Sequence, residues 1–209
     1  SAALLPLVLS SSVSVEITTP RALNLSQLFH LSSFGVVGSL VSGALSAILI
    51  ALISVYLSKF GFSIFEIARF MSCIFAEVLI IQYPIGKASD IFDRRTVFLF
   101  DMFFGGLLCG LSILLAPMSF YLFIGFTMIY SRIVFAIYPL SIAHVNDFLE
   151  AEQLVPASAR LILVMAFGPI ITSFVMELIG EQGLLITCGC ICMLTGGFVG
   201  FRILDRKVL

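Results

Sequence analysis

Long apolar stretches, broken by short clusters of charge, run the length of the chain. Residues 22–58, 102–131, 133–146, 161–176 and 182–201 contain no Asp, Glu, Lys or Arg. Splitting the sequence at charges, glycines and prolines leaves six candidate spans, at roughly 30–58, 64–86, 96–116, 119–146, 154–178 and 183–203. A transmembrane helix needs about 20 mostly apolar residues at 1.5 Å rise each. Membrane β-strands would instead alternate apolar and polar positions in segments of about 10 residues, and these runs are too long and too uniform for that. The pattern predicts an all-α integral membrane protein, a six-helix bundle.

Local chemistry marks some of the boundaries. Ser63-Ile64-Phe65-Glu66 has the form of a capping box, with Ser63 accepting from the Glu66 amide and the Glu66 carboxylate reaching back. Gly61 before it suits a turn. Pro117 falls between the third and fourth spans, where a helix can break without leaving backbone groups unpaired in lipid.

Composition agrees with the pattern. Hydrophobic residues make up 60% of the chain and charged residues 11%, against about 45–50% and about 25% in a typical soluble domain. A net charge of −1 leaves no basic stripe for a nucleic-acid partner. With an even number of spans, one side holds Arg21, Lys87, Arg94, Arg95, Arg160, Arg202, Arg206 and Lys207, and the other only Lys59 and Arg69. The positive-inside rule assigns the richer side, with the C-terminus, to the cytoplasm. The expected location is the cell's inner (cytoplasmic) membrane, multi-pass.

The start of the chain departs from the pattern. SAALLPLVLSSSV, residues 1–13, is apolar, too short to span, and lacks the basic region of a signal peptide. It is read as the last turns of a preceding transmembrane helix, with residues 14–26 as a cytoplasmic linker and 27–209 as the six-helix unit. The alternative is a genuine start processed after Met.

Between the second and third spans lies GKASDIFDRR, residues 86–95, with five charges of both signs. This segment resembles the signature loop of the major facilitator superfamily (MFS), G-x-L-[SA]-D-[RK]-x-G-R-[RK]. Gly86, Ser89, Asp90, Arg94 and Arg95 match; Ala88, Ile91 and Asp93 depart from it. QYPIGKASDIFDRR, IYPLSIAHVNDFLEAEQLVPASAR and FGPIITSFVMELIG are similar to helices eight to twelve of a bacterial branch of that family without a firmly assigned substrate. The resemblance covers nearly the whole chain. It implies the C-terminal half, helices seven to twelve, of a secondary transporter moving a small solute by alternating access, coupled to an ion gradient. The implied partners are the lipid bilayer, the N-terminal six-helix half and the solute. A non-transporting membrane subunit or a truncated, degenerate gene product is the alternative. The resemblance also implies that the loop aspartate helps hold the two halves together. By their position before a helix, Asp90 and Asp93 suit that task, with Arg94 and Arg95 pairing with them or with anionic lipid. The bland alternative is a solvated loop whose charges only block translocation.

Charges inside spans are rare and usually face a cavity or a partner. Glu77 lies near the middle of the second span and Arg132 near the middle of the fourth. Counted from 87 and 146 at 1.5 Å per residue, they lie about 15 Å and about 21 Å deep, within an arginine's reach of each other. They are expected to form a charge pair on the solute or ion pathway; a purely structural pair is the alternative. Ile129-Tyr130-Ser131-Arg132 fits the family's L-x-x-R pattern in part, but Phe135 and Ala136 replace its Gln and Gly. Asp101 is placed to reach the motif loop. His144, Asn146 and Asp147 mark the cytoplasmic end of the fourth span. Gly168-Pro169 in the fifth span is expected to kink the helix and act as a hinge. Gly106-x-x-x-Gly110 and Gly196-x-x-x-Gly200 allow close helix packing.

Cys188, Cys190 and Cys192 differ by about 200° per pair on a helix and do not converge, so they are read as small membrane-core residues and no metal site is expected. H-E-x-x-H, G-x-S-x-G, P-loop and G-x-G-x-x-G motifs are absent. No enzyme and no cofactor is expected.

Overall fold

The computed structural model describes residues 24–59, 61–115, 120–179 and 183–205. The expectations for residues 1–13, for most of the 14–26 linker and for Pro117 lie outside the described residues. Those residues form α1 (Leu25–Leu31), α2 (Ser33–Ala47), a π-helical turn (Ile48–Leu52), α3 (Ile53–Lys59), α4 (Ile64–Ile91), α5 (Arg94–Leu115), α6 (Phe120–Asn146), a 3-10 turn (Ala151–Gln153), α7 (Leu154–Ile179) and α8 (Leu184–Asp205). No strand occurs among them. Four helical stretches among the described residues are long and apolar enough to cross a membrane: Ser33–Val55, Ile124–Asn146, Ala151–Ile179 and Ile186–Ile203.

The helix starts follow local chemistry. The Ser63 amide donates to Glu66 Oε2 at 2.9 Å, and the Glu66 amide donates back to Ser63 Oγ at 3.4 Å, so the expected capping box opens α4. Gly61, with φ of 82°, makes the preceding turn in the left-handed region that glycine tolerates. The first span begins later than its apolar pattern. Ser32 breaks the helix with φ −149° and ψ 83°, and its hydroxyl accepts from the Gly35 amide at 3.1 Å, which makes it the N-cap of α2. The π turn inside this span, ILIAL, has no sequence mark.

Helix α2 is central. It packs against α7 and α6 and touches α8; α5 packs against α8 and α6, and α4 lies against α6. One core joins Leu45, Ile48, Phe98, Met102, Val134, Ile137 and Cys192; a second joins Leu28, Val145, Ala157 and Leu161. Lipid tails are as apolar as these side chains, so close fit rather than escape from water holds such helices together. The small residues supply that fit. A Cβ at Gly35 would strike Val145, and one at Gly38 would strike Ser141, both on α6. Gly106, Gly196 and Gly200 lie in the α5–α8 contact, against Met193, Met102 and Leu99, whereas a Cβ at Gly110 would meet nothing within 4 Å. Some serines in these helices satisfy themselves on their own backbone: Ser39 Oγ donates to the Gly35 carbonyl at 2.8 Å and Ser141 Oγ to that of Ile137 at 2.7 Å.

Candidate functional site

Arg132 stands alone as a cation in the apolar length of α6, and Glu77 is an anion midway along α4. Ile74 and Val78 are buried, and at helical spacing Glu77 shares their face, the one turned to α6. The two charges meet there. Arg132 Nη2 lies 2.7 Å from Glu77 Oε1, and Arg132 Nε donates to Glu77 Oε2 at 3.4 Å. This is the two-pronged arrangement that suits a planar guanidinium and a carboxylate. The side chains remain 36% and 25% exposed, so the pair lies at the surface of the bundle, not in its core. The Phe75 and Phe135 rings, one from each helix, sit 5.8 Å apart beside it. The pairing expected from depth alone is therefore present.

The segment 86–95 differs from the loop expected. Residues up to Ile91 continue α4, and only Phe92 and Asp93 separate it from α5. Asp93 caps α5: its Oδ1 accepts from the Arg95 amide at 3.1 Å, and its carbonyl accepts from the Thr96 and Val97 amides at 2.9 and 3.1 Å. A carboxylate there also favours the positive end of the helix dipole. The side chains of Ser89 and Asp90 lie outside the described residues. Gly86 is exposed, and a Cβ there would meet nothing within 4 Å.

Both arginines of this segment reach the end of α6. Arg94 Nε lies 2.7 Å from Asp147 Oδ2. Arg95 Nε donates to His144 Nε2 at 3.3 Å. An arginine only donates, so the ring nitrogen facing it is the acceptor and the imidazole is neutral in this arrangement. His144 is buried and lies edge-on to Phe34, at 4.6 Å, and to Phe148, at 5.1 Å. Sequence reasoning placed His144 and Asp147 only as markers of a helix end. The negative charge of Asp147, the acceptor nitrogen of His144 and the short α4–α5 connection were the signals that would have paired them with the arginines. Asp101 does not join this cluster by any hydrogen bond of its Oδ2, which is buried without a partner.

Gly168 and Pro169 lie within an unbroken α7. Pro169 has no N–H, so the Met165 carbonyl four residues back lacks its usual helical donor. That carbonyl abuts Gly43 of α2; reciprocally, a Cβ at Gly168 would strike the backbone of Gly43 and Ala44. Thr172 Oγ1 donates across the same seam to the Ala44 carbonyl at 3.4 Å. The proline site is thus a close backbone contact between α2 and α7, of the kind in which a Cα–H group faces a carbonyl. Cys188 and Cys192 are buried and Cys190 is exposed, as the helical rotation requires. No cluster of three or more metal-ligating side chains occurs among the described residues.

No family model matches the sequence. The chain is 30% identical over 152 residues to an uncharacterized MFS-type transporter of Yersinia enterocolitica, covering 68% of this chain and 37% of that protein. It is 25% identical over 185 residues to the MFS-type transporter YcaD of Escherichia fergusonii, covering 84% of this chain and 46% of that protein. The chain therefore spans less than half the length of these relatives. In fold it is similar to the crystal structure of a bacterial homologue of the iron transporter ferroportin in an outward-facing state, with a TM-score of 0.67, at 14% identity, covering 94% of this chain and 51% of that one.

Proposed function

We propose that this chain, a member by sequence and fold of the major facilitator superfamily of membrane transporters, is the C-terminal half of a secondary transporter, with Glu77 and Arg132 on the pathway of a small solute or its coupling ion. The relatives are named MFS-type transporters, a family that is not enzymatic. On this reading α4 and α5 also cross the bilayer, the Phe92–Asp93 turn and the C-terminus face the cytoplasm, and the membrane is the inner one. An N-terminal six-helix half completes the cavity, and alternating access arises from the two halves rocking about a midplane site. Gly168-Pro169, at the α2–α7 seam, is a place where such rocking can bend a helix.

The observation that carries the reading is the Glu77–Arg132 fork. A charge pair at mid-span is costly and usually marks a pathway or relay. This one is partly exposed on the outside of the six-helix unit, where a second half would cover it. A carboxylate that gives up its arginine can take a proton or a cation, and the released guanidinium can take an anionic solute group. The test is uptake by proteoliposomes holding the chain assembled with a co-expressed N-terminal half, assayed on a panel of small organic ions with and without an imposed proton or sodium gradient. Gradient-dependent uptake that Glu77→Gln and Arg132→Gln abolish, with membrane insertion unchanged, supports the reading. Uptake no greater than from empty vesicles across the panel refutes it.

A further inference from the structure

Beside the arginine–histidine contact, and away from Glu77 and Arg132, lies a small cavity of about 60 Å³ at the shared end of α2, α5, α6 and α8. His30, Ser33, Phe34, Arg95, His144 and Arg202 are among its walls, and no carboxylate is among the described residues that line it. Two of these groups carry fixed positive charge. Arg95 comes from the first turn of α5 and Arg202 from the last turns of α8, so residues more than a hundred positions apart in the sequence converge on one space. Helix α2 begins at the same place. Of its first four amides, Gly35 is taken by Ser32 Oγ at 3.1 Å and Val36 by the Ser32 carbonyl at 3.3 Å. Those of Ser33 and Phe34 have no acceptor within the helix, and both residues line the cavity. A 15-residue helix adds the positive end of its dipole to the two guanidinium groups.

We infer that this cavity binds a phosphate-type anion between Arg95, Arg202 and the N-terminus of α2. The space suits one small polyatomic group, since a single water needs only about 10–15 Å³ on the same measure. Arg95 is oriented by donating to His144, and His144 is held between the Phe34 and Phe148 rings, so one side of the site is already ordered. Arg202 is exposed, with its guanidinium carbon 5.9 Å from the ring centre of Phe198, which also lines the cavity. A phosphate at this end of the bundle comes either from a lipid headgroup, since basic pockets between membrane helices take such groups, or from a soluble phosphate. The inference is independent of solute transport and of the leaflet to which this end belongs.

The experiment uses the full chain in two arms. In detergent, inorganic phosphate is titrated and followed by calorimetry and thermal stability, with chloride at equal ionic strength as control. In nanodiscs, phosphatidylglycerol in phosphatidylcholine is compared with phosphatidylcholine alone. Binding or stabilisation in the first arm identifies a soluble anion; in the second arm only, a lipid headgroup. In whichever arm responds, Arg202→Gln should weaken the apparent affinity about tenfold, the worth of one charge-assisted contact, and Arg202→Lys should restore part of it. Arg202 is exposed, so the variant is expected to fold; its melting point in phosphatidylcholine alone checks this. No response in either arm overturns the inference. So does an undiminished response in Arg202→Gln, because the anion would then bind elsewhere.

Discussion

Replacing Glu77 or Arg132 by glutamine keeps the shape of the fork and removes one charge. In a fully buried pair, loss of one partner costs about 3–5 kcal/mol, because the other charge is left without compensation. Here the side chains are 25% and 36% exposed, so part of that loss is relieved by movement toward the surface. Each single change is expected to lower stability by about 2–3 kcal/mol, below the fully buried range. The double variant removes both charges and leaves two amides that hydrogen-bond across the same 2.7 Å contact. It should lose less than the sum of the single losses by about 1–3 kcal/mol, the usual coupling of groups in contact. Thermal unfolding of the four proteins in one detergent, at one pH and salt, reads this directly, at about 2–4 °C per kcal/mol for a chain of this size. Losses that add to within about 0.5 kcal/mol would refute the claim that the two side chains hold each other.

Gly43→Ala and Gly168→Ala each place a methyl group against backbone of the facing helix; both should destabilise by about 1–3 kcal/mol or more, read by thermal unfolding, and wild-type stability in both would dissolve the α2–α7 seam. Gly106→Ala should lower the melting point, because its Cβ would lie 2.9 Å from Met193 Sδ. Gly110→Ala, with nothing near it, should be neutral or stabilising by about 0.5–1 kcal/mol. Asp147→Asn should change stability by no more than about 1 kcal/mol, since Asp147 is 46% exposed and such pairs contribute little; a collapse of folding would give this ion pair a larger role. In a cysteine-free background, Lys87→Cys should react with a membrane-impermeant maleimide only from the cytoplasmic face, and labelling from outside intact cells would invert the proposed topology.

The relatives and the fold agree with the major facilitator superfamily, but the geometry of GKASDIFDRR was hidden from sequence. A motif read as a loop turned out to be two helix ends and a two-residue turn. The reason is that Asp93 is placed to cap the next helix, so the break falls at Phe92–Asp93 and not after Gly86.

What the sequence determined by itself was whatever depends on composition and short spacing. Charge-free runs of membrane length predicted helices, because lipid offers no partner for an unpaired backbone amide. Ser63 and Glu66, three residues apart, encoded a helix start. The isolation of Glu77 and Arg132 in apolar helices demanded a partner for each, and their depths agreed. Only the tertiary structure decided which ends meet. Arg94 and Asp147 are 53 positions apart and Arg95 and His144 are 49, and nothing local links them. The same holds for Gly43 against Met165 and for the convergence of Arg95 and Arg202. Helix packing in lipid is set by close fit between small surfaces, and that fit belongs to pairs of helices, not to the periodicity of either one.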